Sequence, residues 1–177
     1  MTMEQMRSET VTTTDLYVSD GAAFNAGTRA LIAGAVIASC VGTFGLAAIN
    51  ENDVIINQQL QAFIPTSQIN AKYLRYFVVI AGGYFEQIGT AATIAYVNQI
   101  GFANMPLATP PLDEQHEIVT CLEAESKVLD TLTAEANRAI ELLKERRSAL
   151  ISAAVTGKID VRSPSFMLGA GCIQEAI

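Results

Sequence analysis

The chain has 177 residues, of which 50% are hydrophobic, and it carries a formal net charge of −7. The hydrophobic content is sufficient for a buried core and excludes a disordered tail. The acidic balance, with a pI near 4.6, argues against a free-standing nucleic-acid-binding protein, whose surface is normally basic. The length fits one medium domain with an appendage, because domains usually have about 100–200 residues.

The cysteines and the N-terminal residues indicate in which cellular compartment the protein resides. Cys40, Cys121 and Cys172 are odd in number and widely spaced, which favours reduced thiols over a disulfide framework. The first ten residues, MTMEQMRSET, are polar and include acids, so they do not resemble a secretory signal. We therefore expect a cytoplasmic protein.

Residues 30–49 contain no charged residue and are just long enough to span a bilayer, which takes about 20 apolar residues. However, Gly42 and Gly45 flank a short turn inside this segment, and no basic cluster lies beside it to set an orientation. Glycines and β-branched residues in this order favour two buried strands, at 36–39 and 46–49. The sequence predicts no membrane association.

The rest of the first 110 residues predicts short strands and a helix. Further strands are expected at 15–18, 54–56 and 60–64. A helix is expected over 70–80, because its apolar residues repeat with the spacing of a buried helical face, with Asn70 as N-cap and Gly82-Gly83 as the stop. A loop and strand in 89–97 and an extended link in 102–111 complete a compact mixed α/β (α+β) domain over residues 1–110.

From Asp113 onwards the apolar residues are spaced alternately by three and four, which predicts a long coiled-coil helix over 111–156. Its seam is interrupted by Glu125 and Arg146, and Gly157 is the expected terminator before a tail at 157–177. Such a helix needs a partner helix, from a second chain or from a part of the protein outside this sequence, and we expect a homodimer whose two helices form a two-fold antiparallel pair. The predicted dimerisation residues are Leu122, Leu129, Leu132, Leu143 and Leu150, and the seam also includes Ile118, Ala136 and Ala139.

No catalytic constellation is apparent. The one histidine, His116, lies at the solvated start of the long helix without a second ligand at helical spacing. No glycine-rich cofactor loop follows a strand. The sequence therefore predicts a protein that is not an enzyme and that holds no metal or cofactor.

Two segments of the long helix resemble a known family closely. They resemble the motifs that close each repeat of the DNA-specificity subunit of type I restriction-modification systems. The two segments are PPLDEQHEIV, residues 110–119, and LLKERRSALISAAVTGKIDVR, residues 142–162. GAVIASCVGTFGLAAI at 34–49 resembles the family's strand–glycine turn–strand, and VIINQQLQAFIP at 54–65 its strand pair with the word INQ. YLRYFV at 73–78 and the segment 89–111 resemble the next two motifs of the family. The resemblance therefore covers residues 31–162.

The resemblance implies a target-recognition domain that reads one DNA half-site in the major groove, and a long helix that acts as a spacer between half-sites. Methyltransferase subunits are the expected partners, and a restriction-translocation subunit can join them. Two departures matter: the front of the recognition domain is abbreviated, and one domain and one helix are present where the family usually has two of each. A pair of identical chains restores the full set and should read a symmetric site.

Which residues contact double-stranded DNA is a weaker inference, made from residue type. Amide and cationic side chains suit base edges, and cations or hydroxyls suit phosphates. For Asn57 and Gln58, structural hydrogen bonding is the stronger interpretation. For the candidate phosphate contacts a solvated surface is at least as well supported; these are Thr43, Lys72, Arg75 and Thr90. A second hypothesis for the chain is a truncated assembly protein that no longer reads DNA. The candidate DNA-contacting residues are Thr43, Asn57, Gln58, Gln59, Lys72, Arg75 and Thr90.

Overall fold

The computed structural model describes residues 1–6, 8–14, 17–25, 27–90 and 94–162, without the side chains of residues 5, 20 and 24. The strands are β1 (Thr10–Val11), β2 (Val36–Ser39), β3 (Ala47–Asn50) and β4 (Leu60–Phe63). The helices are α1 (Asp20–Asn25), α2 (Ala71–Ile80), α3 (Gly82–Ile88), α4 (Gln99–Ala103) and α5 (Leu112–Val155), and a short 3₁₀ turn covers Met3–Gln5. The chain divides into two compact units, Met1–Leu122 and Glu123–Ile177. The architecture is α+β, as predicted.

The four strands form one sheet in the order β1-β3-β2-β4. The central pair, β2 and β3, is antiparallel and places Ile37 opposite Ala48, while β4 pairs antiparallel with β2 and β1 pairs parallel with β3. The predicted strand at 36–39 is confirmed, and β3 and β4 lie within one residue of their predicted ends. The hairpin of β2 and β3 occupies the uncharged segment that was long enough to suggest a membrane span. In the described residues no helix is long and apolar enough to cross a membrane.

Two strand predictions have a different outcome. The strand predicted at 54–56 is wrong, because Val54 forms only an isolated bridge with Leu31 and no ladder continues from it. The strand predicted at 15–18 falls partly on residues 15 and 16, which lie outside the described residues. Tyr17 and Val18 are described and are not in a strand.

A hydrophobic core lies on each face of the sheet, because successive residues of a strand point to opposite faces. Val36 and Ala38 pack with α2, α3 and α4 through Val78, Phe85 and Phe102. Ile37 and Ala48 pack instead with the N-terminal segment through Met1, Met6 and Val11. The strand β2 is therefore buried on both sides, and all four of its residues, Val36–Ser39, are buried.

Helix α2 begins as predicted. The Asn70 side chain accepts hydrogen bonds from the backbone N–H groups of Lys72 (2.8 Å) and Tyr73 (3.1 Å), which is the usual N-cap arrangement. The glycine stop predicted at 82–83 is wrong, because α2 ends at Ala81 without a left-handed residue and both glycines belong to α3. The extended link predicted from residue 102 begins later, because Phe102 and Ala103 belong to α4.

Helix α5 has 44 residues and is about 66 Å long at about 1.5 Å per residue. It lies within the predicted segment 111–156. The backbone N–H of Lys158 donates to Ala153 O (2.8 Å) and that of Gly157 to Ala154 O (3.2 Å), while Gly157 has φ +74°. These bonds form a Schellman motif, so the predicted terminator is confirmed. The domain boundaries at 110 and 156 stay a prediction, and 163–177 of the predicted tail lie outside the described residues.

Candidate nucleic-acid interface

Three loops meet at the end of β2, and five of the predicted DNA-contacting residues lie on them. The Cys40 N–H donates to Gln59 O (2.9 Å), and Val97 N–H donates to Cys40 O (3.0 Å). The Gly42 N–H donates to Ala95 O (2.8 Å). These bonds hold together segments that are far apart in sequence. We call the four exposed residues on them, Thr43, Gln58, Gln59 and Thr90, the turn cluster.

The two threonines of the turn cluster lie on hydrogen-bonded turns. Thr43 donates its N–H to Val41 O (3.0 Å), and its carbonyl accepts a hydrogen bond from the Ser39 hydroxyl. The Thr90 hydroxyl donates to Tyr96 O (3.3 Å), and the two residues also form a backbone bridge. Ordered turns of this kind hold exposed hydroxyl groups in defined positions.

Asn57 and Gln59 form a local hydrogen-bonded turn. Asn57 Oδ1 accepts from the Gln59 N–H (3.1 Å), and Asn57 Nδ2 donates to Gln59 Oε1 (3.2 Å). This Asx turn is a structural use of the Asn57 amide, in agreement with the interpretation favoured from sequence. Gln58 is exposed at the tip of the turn, and its side chain makes no hydrogen bond within the described part of the chain.

The two predicted cations lie elsewhere, on α2. Lys72 is exposed in the first turn of α2, about 10 Å along the helix axis from Val79 at about 1.5 Å per residue. It is the Val79 end of α2 that lies against Gly45, in the loop that carries Thr43. Arg75 donates from Nε to Ala47 O (3.1 Å) and from Nη1 to Glu9 Oε1 (2.8 Å). The structure therefore does not gather Lys72 with the turn cluster, and it gives Arg75 an intramolecular role.

The turn cluster lies in a unit that has few basic residues. Glu51 and Asp53 follow β3 and so lie at the opposite end of the sheet from the cluster. The first unit contains only four cations, Arg7, Arg29, Lys72 and Arg75, and the last of these is paired with Glu9. The turn cluster is consequently a polar surface of amides and hydroxyls rather than a basic patch.

Gln115 is a central residue to which sequence reasoning gave no role. Its side chain is fully buried, with 0% exposure. Oε1 accepts from the Asn70 N–H (2.9 Å), while Nε2 donates to Gln68 O (3.0 Å) and Pro110 O (2.8 Å). One amide thus joins the first turns of α5 to the N-terminus of α2. The only hint in the sequence was that Gln115 is the glutamine of the PPLDEQ motif. A polar residue in a polar segment gives no indication that its side chain is buried.

Gly45 explains the second glycine of the GTFG turn. It has φ +79°, and a Cβ there would lie 3.0 Å from Val79 O and 3.5 Å from Gly82 Cα. The hairpin loop therefore packs directly on the junction of α2 and α3. Phe44 is buried beside it, 6.3 Å from the Phe85 ring. This contact fixes the loop that carries Thr43.

The residues considered for chemistry have simple environments. His116 is exposed, and its Nδ1 lies 2.7 Å from Leu112 O, one turn earlier in α5. Cys40 and Cys121 are free thiols, and burial raises the pKa of the Cys40 thiol. Among the described residues no three histidine, cysteine, aspartate or glutamate side chains group as a metal site would require.

Comparison with known proteins identifies the class. Residues 7–142 match the family model described as "Type I restriction modification DNA specificity domain". Because the match covers most of the chain, this protein belongs to that family. The family resemblance inferred from the sequence motifs is confirmed.

A solved structure has the same fold. It is described as "Structural basis underlying complex assembly and conformational transition of the type I R-M system". A chain in it superposes with a TM-score of 0.62 at 19% sequence identity, over 71% of this chain and 31% of that chain. Identity this low shows the fold alone. The present chain spans about a third of the length of that chain.

Proposed function

We propose that this protein is the non-catalytic DNA-sequence-recognition subunit of a type I restriction-modification system. The observation that carries the proposal is the family match over residues 7–142, which includes both the sheet domain and most of α5. The domain reads one half-site of double-stranded DNA, and no reaction is carried out by this chain.

The turn cluster is the proposed contact surface. Gln58 and Gln59 carry exposed side-chain amides, the groups that pair with base edges in the major groove. Thr43 carries a hydroxyl suited to phosphate oxygens, and the Thr90 hydroxyl donates to a phosphate oxygen only when it gives up its hydrogen bond to Tyr96 O. Asn57 positions Gln59 through its Asx turn.

The two cations of α2 are assigned a secondary contribution. Lys72 contacts phosphate at a distance from the turn cluster. Arg75 adds little unless its guanidinium exchanges Glu9 for a phosphate, because its present bonds already occupy Nε and Nη1.

The remaining parts of the proposal concern assembly. Methyltransferase subunits dock on the recognition domain and α5, and a restriction-translocation subunit can join them in the cytoplasm. Two copies of the chain pair through the leucine stripe of α5, which then acts as the spacer between two half-sites. In support, Leu129, Leu132 and Leu143 are 62%, 55% and 64% exposed in the single chain, and soluble proteins rarely leave such stripes in water.

Binding variants test the proposed contact surface. In fluorescence anisotropy with the complex of this chain and its methyltransferase subunits, replacing both Gln58 and Gln59 by alanine should remove the preference for the target duplex over a scrambled one. Each lost amide–base pair contributes about 1–3 kcal/mol of discrimination. Gln68→Ala is the matched control, because Gln68 is also exposed in a turn but lies after β4, at the other end of the sheet. An unchanged preference in the double variant would remove the turn cluster from the interface.

A second candidate is an assembly protein that no longer reads DNA. The net charge of −7 and the pairing of Arg75 with Glu9 favour it, because phosphate neutralisation supplies most non-specific affinity. The same anisotropy assay decides between the two functions. Equal affinity of the complex for all duplexes would support the assembly function.

A further inference from the structure

The short extended segment that carries Ala95 has an alternating pattern of burial. Ala95 and Val97 point inward and pack with the core on the helix side of the sheet. Ile94 and Tyr96 alternate with them, as successive residues of an extended chain do, and they are 62% and 44% exposed. The outward positions of such a segment normally carry polar residues, whereas here both carry large side chains with apolar surface.

Ile94 lies beside the turn cluster. The Gly42 N–H donates to Ala95 O (2.8 Å), and a Cβ added at Gly42 would lie 3.8 Å from Ile94 Cγ2. The Ile94 side chain therefore lies next to Gly42, the residue before Thr43, and Gly42 has no side chain to cover it. An exposed aliphatic group thus borders the amides and hydroxyls of the turn cluster.

The backbone that follows Ile94 is held by hydrogen bonds. Tyr96 exchanges two of them with Thr90 (3.0 and 3.2 Å), and the Val97 N–H donates to Cys40 O (3.0 Å). Isoleucine is β-branched, so its χ1 angle is restricted. A stiff side chain beside a fixed backbone loses little conformational entropy on binding. Ile94 is therefore preorganised to make a contact at a defined position.

We propose that Ile94 contacts the 5-methyl group of a thymine in the half-site, so that this position of the target is an A·T pair. Thymine is the base that presents an apolar group, its C5-methyl, at the major-groove edge. The inference rests on the proposed reading of DNA by the turn cluster. It adds to that function a specificity-determining residue and the chemical group that the residue recognises.

The spacing of the loops suits two nearby base pairs. Cys40 bonds the loop of Gln59, and Gly42 bonds the loop of Ile94 through Ala95. Because Cys40 and Gly42 are two positions apart, they are separated by at most about 7 Å along the chain. Successive base pairs of DNA are about 3.4 Å apart. Gln59 and Ile94 are therefore suited to base pairs roughly two steps apart, one read by hydrogen bonds and the other by its methyl group.

Removal of the methyl group tests the contact. The complex of this chain with its methyltransferase subunits is titrated by fluorescence anisotropy with the duplex that it prefers, in which one thymine at a time is replaced by deoxyuridine. At one position of the half-site this replacement should raise the wild-type Kd about fourfold, as expected for one methyl group removed from an apolar contact. In Ile94→Ala the same replacement should change the Kd by less than about 1.5-fold, because the methyl group has already lost its partner.

Ile64→Ala is the matched control. Ile64 is 64% exposed, and it follows β4 at the other end of the sheet from the turn cluster. This variant should bind the thymine duplex as the wild type does and should respond to deoxyuridine to the same extent. Circular dichroism checks that both variants are folded.

The outcomes separate this inference from the proposed function. A complex without any sequence preference would overturn the proposed function and this inference with it. A preferred half-site made only of G·C pairs, or one in which no deoxyuridine weakens wild-type binding, would leave DNA recognition standing and overturn the thymine contact. An Ile94→Ala variant that responds to deoxyuridine as the wild type does would also overturn it, since another residue would then contact the methyl group.

Discussion

At the residue scale, Gln115 joins the first turns of α5 to the loop that precedes α2. Its amide uses both functional atoms on backbone groups of two loops, Gln68–Asn70 and Pro110. Buried backbone groups that lose such a partner retain the full cost of desolvation. A side chain of similar size without the amide should therefore be poorly tolerated.

Gln115→Leu should lower the free energy of unfolding by about 2–3 kcal/mol, because it leaves three backbone groups without hydrogen bonds at a buried site. Denaturant unfolding of the full chain measures the change. Gln58→Leu is the matched control, since Gln58 is exposed and unbonded in the described chain, and it should change the value by less than about 0.5 kcal/mol. Equal effects of the two variants would contradict the assigned role of Gln115.

The loop that carries Thr43 depends on Gly45. Gly45→Ala should lower the free energy of unfolding by about 2 kcal/mol or more, because alanine is strained at positive φ and its Cβ would lie 3.0 Å from Val79 O. Gly83→Ala offers the contrast, since Gly83 is helical and no atom lies within 4 Å of its added Cβ. It should be neutral or stabilising by about 0.5 kcal/mol, as expected for glycine replaced in a helix. Thermal unfolding of both variants checks the pair.

At the element scale, local patterns allowed several elements to be predicted. β2 and its glycine turn, the Asn70 cap and the 44 residues of α5 each follow from short-range rules of spacing and capping. The misassigned segments depend on tertiary contacts. Val54 is of a residue type common in strands but forms a single bridge, with Leu31. Gly82 does not stop a helix but makes room for Gly45, whose Cα would lie 3.2 Å from a Cβ at position 82.

The candidate site was only partly predictable for the same reason. Polar residue types suggested Gln58, Gln59, Thr43 and Thr90, but only the backbone bonds of Cys40 and Gly42 show that their loops meet. Arg75 was chosen as a cation, and its ion pair with Glu9, 66 residues away, cannot be read from local sequence. Contacts between residues far apart in the sequence therefore could not be predicted from local patterns.

The stripe of α5 gives a prediction for the helix as an element. Replacing Leu132 and Leu143 by aspartate should convert a dimer into monomers or aggregates, because each buried leucine contributes roughly 1.5–3 kcal/mol and the two-fold pair counts each position twice. Sedimentation velocity measures the change. The same two substitutions at Thr131 and Ser148, which lie off the leucine stripe and are exposed, should leave the dimer intact. A dimer that survives the leucine substitutions would place the interface elsewhere.

At the scale of the whole molecule, charge limits what the chain does alone. With a net charge of −7 it releases few counterions from DNA, and counterion release supplies most non-specific affinity. We expect the isolated chain to bind duplex DNA weakly and with a shallow salt dependence in anisotropy titrations. Tight binding that falls steeply between low and moderate salt would contradict this expectation and indicate a basic surface that the described residues do not form.

The proposed homodimer predicts a symmetric DNA target. In the proposed homodimer, two identical recognition domains would present the same contacts to DNA in opposite directions. The resulting site should consist of two inverted half-sites separated by a constant spacer. A single domain without its pair would read only one half.

Selection from a randomised duplex library, with the complex of this chain and its methyltransferase subunits, tests the central claim most directly. Sequencing of the bound duplexes should reveal an inverted repeat with fixed spacing, which the double variant Gln58→Ala/Gln59→Ala no longer enriches. Recovery of all sequences in equal proportion by the intact complex would contradict the assignment of DNA recognition to this chain.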